Sequence, residues 1–258
     1  MKNKTMAWLI PIIIGLVLWF IPTPEGLTPQ AWHLVSIFVA TIAAFITSPM
    51  SMGALSLLSI VIVVLLHILK LNEALAGFSN STIWLIVAAF LLSRGFVKTG
   101  LGKRIAYILI KAFGKSSMSL AYTLLVSDLI LAPATPSNTA RSGGVVFPIA
   151  SSLAAAFKSS PTDGTARKIG AFLMQAIYQG NTVTSAMFMT AMAGNTLIVS
   201  LVAQSFDMQL SWGQWALAAI VPGLLSLLII PIVLYKIYPP EIKDTREAQK
   251  MAGEELKN

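Results

Sequence analysis

The feature that most constrains this chain is the length of its uncharged stretches. Gly26 to Leu69 runs for 44 residues without a charged side chain, which is too long for one helix across a bilayer. Hydrophobic types make up 56% of the 258 residues and charged types only 11%, too few to coat a water-soluble domain of this size. The sequence therefore predicts an all-α integral membrane protein.

Composition also excludes several functional classes. Eighteen Lys and Arg against ten Asp and Glu give a formal net charge of +8. In a membrane protein such an excess marks cytoplasmic loops, so no nucleic-acid partner is expected. With no cysteine and only two histidines, we expect no thiol chemistry, no firm metal site and no cofactor. No Ser/His, paired-Asp or His/Glu arrangement indicates an intramembrane enzyme.

The apolar segments are accounted for by six transmembrane helices and one re-entrant hairpin. The first segment follows Lys2 and Lys4, and an uncleaved span is favoured over a signal peptide because no small-x-small cleavage site follows it. The fifth is interpreted as one crossing broken at 180–185. The predicted crossings lie in residues 6–22, the two parts of 26–69 that Thr47–Ser51 separate, 74–93, 169–206 and 212–235.

The hairpin is predicted over residues 116–157, which carry only two charges, Asp128 and Arg141. Between 131 and 144 lie two prolines, two glycines and several hydroxyl side chains, which cannot form a helix interior at low cost. Two short arms that meet at a non-helical tip inside the bilayer fit this pattern better than two full spans.

Charge predicts the orientation. Six basic and no acidic residues alternate with apolar ones between Arg94 and Lys115, which predicts a helix in the cytoplasmic interface, or simply a short connector. We expect the chain in a cell's inner membrane. With both termini cytoplasmic, 16 of the 18 basic residues lie on the cytoplasmic side of that membrane. The chain then divides into residues 1–115, which end with the interfacial helix, residues 116–206 with the hairpin and the broken crossing, a last transmembrane helix (207–238) and a solvated polar tail (239–258).

The hairpin tip is the strongest candidate site. Ser137, Asn138 and Thr139 place three hydrogen-bonding side chains where non-helical backbone needs polar surroundings. The second arm begins there, and its positive N-terminal end suits a bound carboxylate. Alternatively, these residues only cap that arm.

Arg141 and a second polar segment extend the candidate site. An arginine near the bilayer centre costs about 2.5–3.5 kcal/mol on insertion scales, so it needs a function or a partner. It is either a fixed positive charge for a carboxylate or the partner of Asp128. Asn181, Thr184 and Ser185 form a possible cation site or polar shell, with packing of small residues as the alternative.

The segment from Leu131 to Arg141, with Ser137-Asn138-Thr139 inside it, resembles the divalent anion:sodium symporter family. The nearest branch is similar to the citrate/succinate and tartrate/succinate antiporters and the 2-oxoglutarate/malate translocators. Lys98–Tyr107, Gly143–Ile149 and Thr184–Met192 carry the same resemblance. It implies an elevator-type carrier of di- or tricarboxylates, homodimeric when complete and surrounded by membrane lipid. In such a carrier residues 1–115 would be scaffold-like and residues 116–206 transport-like. Each of its two inverted repeats supplies one Ser-Asn-Thr hairpin and one broken helix.

Three departures from the family pattern matter. Arg141 replaces a small polar residue of the sodium-coupled members, and Pro133 stands where some have a sodium-ligating serine. Both make Na⁺ coupling doubtful and favour exchange. No second Ser-Asn-Thr hairpin follows Arg141, and Gly194-Asn195-Thr196 is only a fragment of one. The chain therefore looks like the first repeat alone, a shortened product that needs a C-terminal half or a homologous partner. The alternative is a non-transporting membrane remnant or partner subunit.

Overall fold

The protein is helical throughout the part that its computed structural model describes, residues 4–257, with all side chains there except those of Lys4, Thr82, Leu92, Phe96 and Val97. Lys2 of the predicted charge pattern lies outside this range. The described residues form no strand, only an isolated bridge, so the all-α prediction is confirmed. The helices are α1 (Lys4–Phe20), α2 (Pro29–Thr47), α3 (Met52–Leu65), α4 (Leu71–Ala74), α5 (Ser81–Lys98), α6 (Leu101–Phe113), α7 (Ser117–Leu131), α8 (Asn138–Arg141), α9 (Phe147–Ala156), α10 (Gly170–Met187), α11 (Ala193–Phe206), α12 (Trp212–Ile237) and α13 (Arg246–Glu255).

Several helices have the length and apolar surface of membrane spans. Among the described residues, Pro29–Thr47, Ser117–Ala134 and Trp212–Ile237 are long and apolar enough to cross a bilayer. Large aliphatic side chains cover the outside of α12, as expected for lipid contact. The chain is an integral membrane protein, whereas the six crossings and the elevator architecture stay predictions. Shorter apolar helices occupy Thr5–Phe20, Met52–Leu65, Ile83–Gly95 and Ala193–Phe206.

The chain folds as two compact units, residues up to Ile83 and residues from Trp84 onward. In the first unit α1 packs along α2, and the Thr47 hydroxyl donates to the Ala7 carbonyl at 2.9 Å. The predicted break between the second and third spans is confirmed. Helix α2 ends at Thr47, Ser48 takes a left-handed φ of 52°, and Ser51 caps α3. The fourth span begins at Ser81 rather than at Ala74, because 71–79 form a short helix and a 3₁₀ turn.

The second unit contains the predicted hairpin. Helix α7 rises through a 3₁₀ turn, Ala132–Ala134, to a non-helical tip at residues 135–137. The chain returns through α8, a π-helical turn at Ser142–Val146, and α9. Segment 241–245 holds both ends of the hairpin region. The Ser117 amide donates to the Lys243 carbonyl, and the Glu241 amide donates to the Arg167 carbonyl. The two ends of residues 116–157 therefore lie on the same side of this unit, as a hairpin requires.

The core of the second unit lies between α6, α7, α9, α10 and α13. Ala106 and Ile110 on α6, Leu124 on α7, Ile149 on α9 and Phe172 on α10 are buried in one cluster. Helix α6 turns the opposite face, with its basic residues, outward. This one-sided pattern agrees with the predicted interfacial helix.

The predicted solvated tail is wrong for residues 241–255. Segment 241–245 pairs with the start of α7, and α13 packs on α6. Ala248 and Ala252, four residues apart, face α6 and are buried, while the charged side chains of α13 point outward. The buried Thr245 hydroxyl also donates to the Gly114 carbonyl at 2.9 Å. The many charged residues of this segment led to the prediction of a solvated tail, although α13 is an amphipathic helix.

The predicted break at 180–185 is also misplaced. Helix α10 runs unbroken to Met187, and the break lies at Phe188–Met192, around a 3₁₀ turn. Gly180 is needed for close packing, because a Cβ there would collide with Leu125. The Ser185 hydroxyl donates back to the Asn181 carbonyl, four residues earlier in the same intact helix.

Candidate functional site

The hairpin tip meets α10 at a buried ion pair. Arg141, on α8 just past the tip, is 0% exposed, and Asp128, on the facing arm α7, is 2% exposed. The Arg141 Nε donates to Asp128 Oδ1 at 2.8 Å. The partner that the sequence suggested for Arg141 is therefore in place, and it joins the two arms of the hairpin.

The guanidinium of Arg141 has an acceptor for each of its five N–H groups. In addition to Asp128, Nη1 donates to the carbonyls of Thr135 and Ala191, both at 3.1 Å. Nη2 donates to the hydroxyls of Thr184 at 3.3 Å and Ser185 at 3.0 Å. One side chain therefore joins the hairpin tip, helix α10 and the break that follows it.

The Asp128 carboxylate is also fully bonded. Its two oxygens accept from Asn181 Nδ2 at 3.2 and 3.1 Å, and Oδ2 accepts from the Thr184 hydroxyl. A buried ion pair is tolerable only when further hydrogen bonds offset its desolvation. Asn181, Thr184 and Ser185 supply those bonds, so they form a polar shell around this pair.

The Ser-Asn-Thr motif lies at the outer edge of this network. Ser137 Oγ accepts from the Ala140 amide at 3.1 Å and caps α8, as the capping alternative predicted. Asn138 Oδ1 accepts from the Thr139 amide at 2.9 Å. Within residues 4–257, Asn138 Nδ2 has no protein partner, and the Thr139 side chain is exposed. The Asn138 amide is therefore free to bind a ligand, whereas the Thr139 hydroxyl donates to Asn138 Oδ1 over a long 3.5 Å.

All seven predicted site residues are near one another, but they divide into two groups. Asn138 and Thr139 point outward, with Ser137 as the cap, whereas Arg141, Asn181, Thr184 and Ser185 lie in the buried network. Arg141 was predicted as a fixed positive charge for a carboxylate. In this conformation its donors and its charge are satisfied inside the protein, so it offers no free N–H to a substrate.

Two further residues support the site and were missed in the sequence. Asn195, buried on α11, donates from Nδ2 to the carbonyls of Ser185 at 2.7 Å and Phe188 at 2.9 Å, where α10 ends. The Thr190 hydroxyl donates to the Pro133 carbonyl at 2.8 Å and ties the break to the hairpin. The signal for Asn195 was an amide inside an otherwise apolar run.

The arrangement suits binding rather than bond-making chemistry. In the part of the chain that is described, no three His, Cys, Asp or Glu residues group as metal ligands. The free groups at the tip are uncharged hydrogen-bond donors at the start of a helical segment, which can hold an anion.

Comparisons with known proteins identify the family of the chain. The family model for the sodium:sulfate symporter transmembrane region matches residues 2–258. A candidate malate transporter of Bacillus subtilis (strain 168) is 56% identical over 98% of this chain and 53% of its own length. Dicarboxylate transporter 1, chloroplastic, of Spinacia oleracea is 46% identical over 96% of this chain and 44% of its own length.

A third relative has a name that refers to exchange. The citrate/succinate antiporter of Escherichia coli (strain K12) is 38% identical over 99% of this chain and 56% of its own length. The chain thus spans about half the length of the curated relatives it matches. The resemblance seen at the hairpin is confirmed: the chain belongs to the sodium:sulfate symporter family, whose relatives named above are membrane transporters and not enzymes.

Proposed function

We propose that this chain forms the first half of a carrier that exchanges di- or tricarboxylates across a membrane. The observation that carries the proposal is the hairpin tip, where Asn138 offers a free amide and Thr139 an exposed hydroxyl next to a buried, fully bonded ion pair. Such rigid non-helical backbone in a membrane protein is expected where a polar ligand binds. The names of the three relatives support a carboxylate as that ligand.

In this proposal the tip binds one carboxylate of the substrate. The Asn138 amide and the Thr139 hydroxyl donate to it, and the N-terminal end of the second arm adds a favourable dipole. Ser137 fixes the tip by capping α8. Arg141 contributes by holding the tip against α10, since its own donors are used. Asn181, Thr184 and Ser185 hold Arg141 and Asp128 in place.

Exchange without sodium is the proposed mode. The Arg141 guanidinium contacts two carbonyl and two hydroxyl oxygens, the kind of ligand that also suits Na⁺. A sodium ion at those oxygens would lose its ligands to Arg141 and meet a like charge. Coupling to Na⁺ through these oxygens is therefore disfavoured.

We also propose an inner-membrane location with both termini cytoplasmic, and a homodimeric complete carrier. Segment 241–245 lies at the hairpin base, which agrees with a tail on the side from which the hairpin enters. The excess of basic residues favours the cytoplasm as that side.

Exchange in proteoliposomes tests the function. The 258-residue protein is purified alone and after co-expression with the C-terminal half of the Escherichia coli relative. Uptake of labelled citrate, succinate, malate and 2-oxoglutarate is measured against internal unlabelled substrate, with and without Na⁺. We expect exchange only from the co-expressed pair and no requirement for Na⁺. Exchange that requires Na⁺ would contradict the proposed sodium-independent mode.

A non-transporting partner subunit is the second candidate. It is favoured by one observation, the match to only about half of each relative. Under this alternative the co-expressed pair forms a complex that pulls down together and yet exchanges none of the four substrates.

A further inference from the structure

The outward face of α10 differs sharply from that of α12, the helix packed beside it. The two run antiparallel, since the end of α10 meets the start of α12, where Trp215 Nε1 donates to the Ala186 carbonyl at 2.9 Å. On the middle of α12, from Leu217 to Val233, most exposed side chains are large and aliphatic. On α10 the exposed side chains are polar, amphipathic or small: Gln175, Tyr178, Gln179, Thr182 and Ala186.

Lipid is a poor environment for that face of α10. An unpaired amide in hydrocarbon costs several kcal/mol, so polar side chains of membrane helices face protein or water. Gln179 lies nine residues beyond the start of α10 at Gly170. That distance is about 14 Å along the helix axis, roughly half of a hydrocarbon core. Its short side chain cannot reach the interface from there.

The second arm of the hairpin continues the same surface. Helix α9 packs against α10, and beyond Phe147 its exposed residues, Ser151, Ser152, Ala155 and Ala156, are polar or small. Thr139 and Gly143 extend this side to the tip. Among the exposed residues of 139–156, the large apolar side chain is Phe147. Phe147 lies between Gly143 and Ser151 on this side, and apart from it the two neighbouring elements turn mainly polar or small side chains outward.

Positive charge surrounds the lower end of this surface. The loop that joins α9 to α10 contains Lys158, Arg167 and Lys168, with Asp163 as its acidic residue. Lys158 and Arg167 are exposed. Basic side chains at the mouth of a cleft raise the local concentration of anions.

We propose that the outward faces of α9 and α10 form one wall of a water-filled passage along which an anion reaches the hairpin tip. Its substrate class, a hydrated di- or tricarboxylate, rests on the proposed function. The wall itself rests on the polar side chains at membrane depth, on their extent from loop 158–168 to Thr139, and on the basic mouth. The neutral amides and hydroxyls of the wall let a hydrated anion slide without trapping it.

Cysteine accessibility tests the passage directly, because the natural chain has no cysteine. Gln175→Cys, Gln179→Cys and Ser151→Cys are compared with Val221→Cys and Ile229→Cys on α12, whose exposed fractions are 63% and 51%. Each variant is co-expressed with the C-terminal half of the Escherichia coli relative and treated, in inside-out membrane vesicles, with a membrane-impermeant maleimide. Ser160→Cys, at a partly exposed position in the loop outside the membrane, serves as the reference.

We expect the α10 and α9 cysteines to react at least about tenfold faster than the α12 cysteines, since an apolar environment raises the pKa of a thiol and only the thiolate reacts. Equal, slow labelling of Gln179→Cys and Ile229→Cys, beside rapid labelling of Ser160→Cys, would show that lipid or a packed helix covers α10, and would overturn the passage.

Reagent charge tests whether the passage takes anions. A negatively charged methanethiosulfonate should modify Gln179→Cys faster than a positively charged one of similar size, and Lys158→Ala with Arg167→Ala should remove that preference. Preference for the cationic reagent would overturn an anion passage. These readouts need no transport, so loss of the proposed exchange and loss of the passage are separate results.

Discussion

The hairpin tip and the C-terminal segment each contain an arginine paired with an aspartate, in opposite surroundings. At the tip, Arg141 and Asp128 are 0% and 2% exposed and bond to further side chains and carbonyls. In the C-terminal segment, Arg246 and Asp244 are 74% and 56% exposed, and the contact is local. The first pair organises three elements at membrane depth, whereas the second is screened by water. The comparison teaches that burial and shared partners, not the presence of an ion pair, decide what the pair contributes.

Removal of Arg141 should have the largest effect. Arg141→Ala leaves Asp128 buried without its counter-charge, which costs about 3–5 kcal/mol in folding free energy. We expect a large drop in the thermal unfolding temperature in detergent and loss of exchange by the co-expressed pair. Arg141→Lys should also fail, because one ammonium cannot replace a planar fork with five donors.

A double variant separates charge from architecture. Arg141→Met with Asp128→Leu removes both charges and should recover much of the stability that Arg141→Ala loses. Exchange should stay absent, since nothing then holds the tip against α10. Unchanged unfolding of Arg141→Ala would mean that the tip does not depend on this residue.

Asn195 tests how far the tip network extends. Asn195→Ala removes both donors to the Ser185 and Phe188 carbonyls and should cost about 1–3 kcal/mol, because those carbonyls lose their side-chain partner in a buried site. Slower exchange and earlier unfolding are expected. Thr196→Val is the matched control, since the Thr196 hydroxyl bonds only to the nearby Ala193 carbonyl. Equal unfolding temperatures of the two variants would exclude a role for Asn195 at the break.

Thr245 tests the buried part of the C-terminal segment. Thr245→Val keeps the shape of the side chain and removes its bond to the Gly114 carbonyl, at a cost of about 1 kcal/mol. Limited proteolysis should cut residues 241–255 faster, while exchange by the co-expressed pair changes little. Proteolysis at the parent rate would show that α13 docks without this bond.

Arg246 should have the smallest effect. Its hydrogen bonds hold the pKa of Asp244 below the usual value, yet both side chains are open to solvent. Arg246→Ala should therefore leave the unfolding temperature and the proteolysis rate unchanged within error. A loss comparable to that of Arg141→Ala would erase the distinction between the two pairs.

Local chemistry made much of the fold readable from the amino-acid sequence. Pro49 and the serines beside it end α2 and cap α3, and the prolines between 131 and 144 mark the tip. Asp128 and Arg141 are the two charges of a 42-residue stretch, so residue type alone makes each the natural partner of the other. These features need no knowledge of how distant helices pack.

The two wrong predictions, the break in α10 and the solvated tail, concern segments whose structure depends on packing against distant parts of the chain. Hydroxyls and Gly180 suggested a break in α10, but Leu125 from another helix fills the space at Gly180 and the helix stays intact. The true break is held by Asn195, which lies in the next helix. In the tail, Ala248 and Ala252 form the contact with α6. Two alanines in a short polar segment are too small an apolar stripe to predict a packed helix from the sequence.

The C-terminal segment also sets an order of events during synthesis. It closes the base of the hairpin through contacts between residues far apart in sequence, such as Thr245 with Gly114 and Gln249 with Lys111. None of these contacts can form before α12 has been made and residues 241–255 have left the ribosome. Until then segment 241–245 cannot bond to the start of α7 or to the loop that precedes α10. The second unit is therefore completed only after residues 241–255 have been made, although its hairpin is synthesised more than 80 residues earlier.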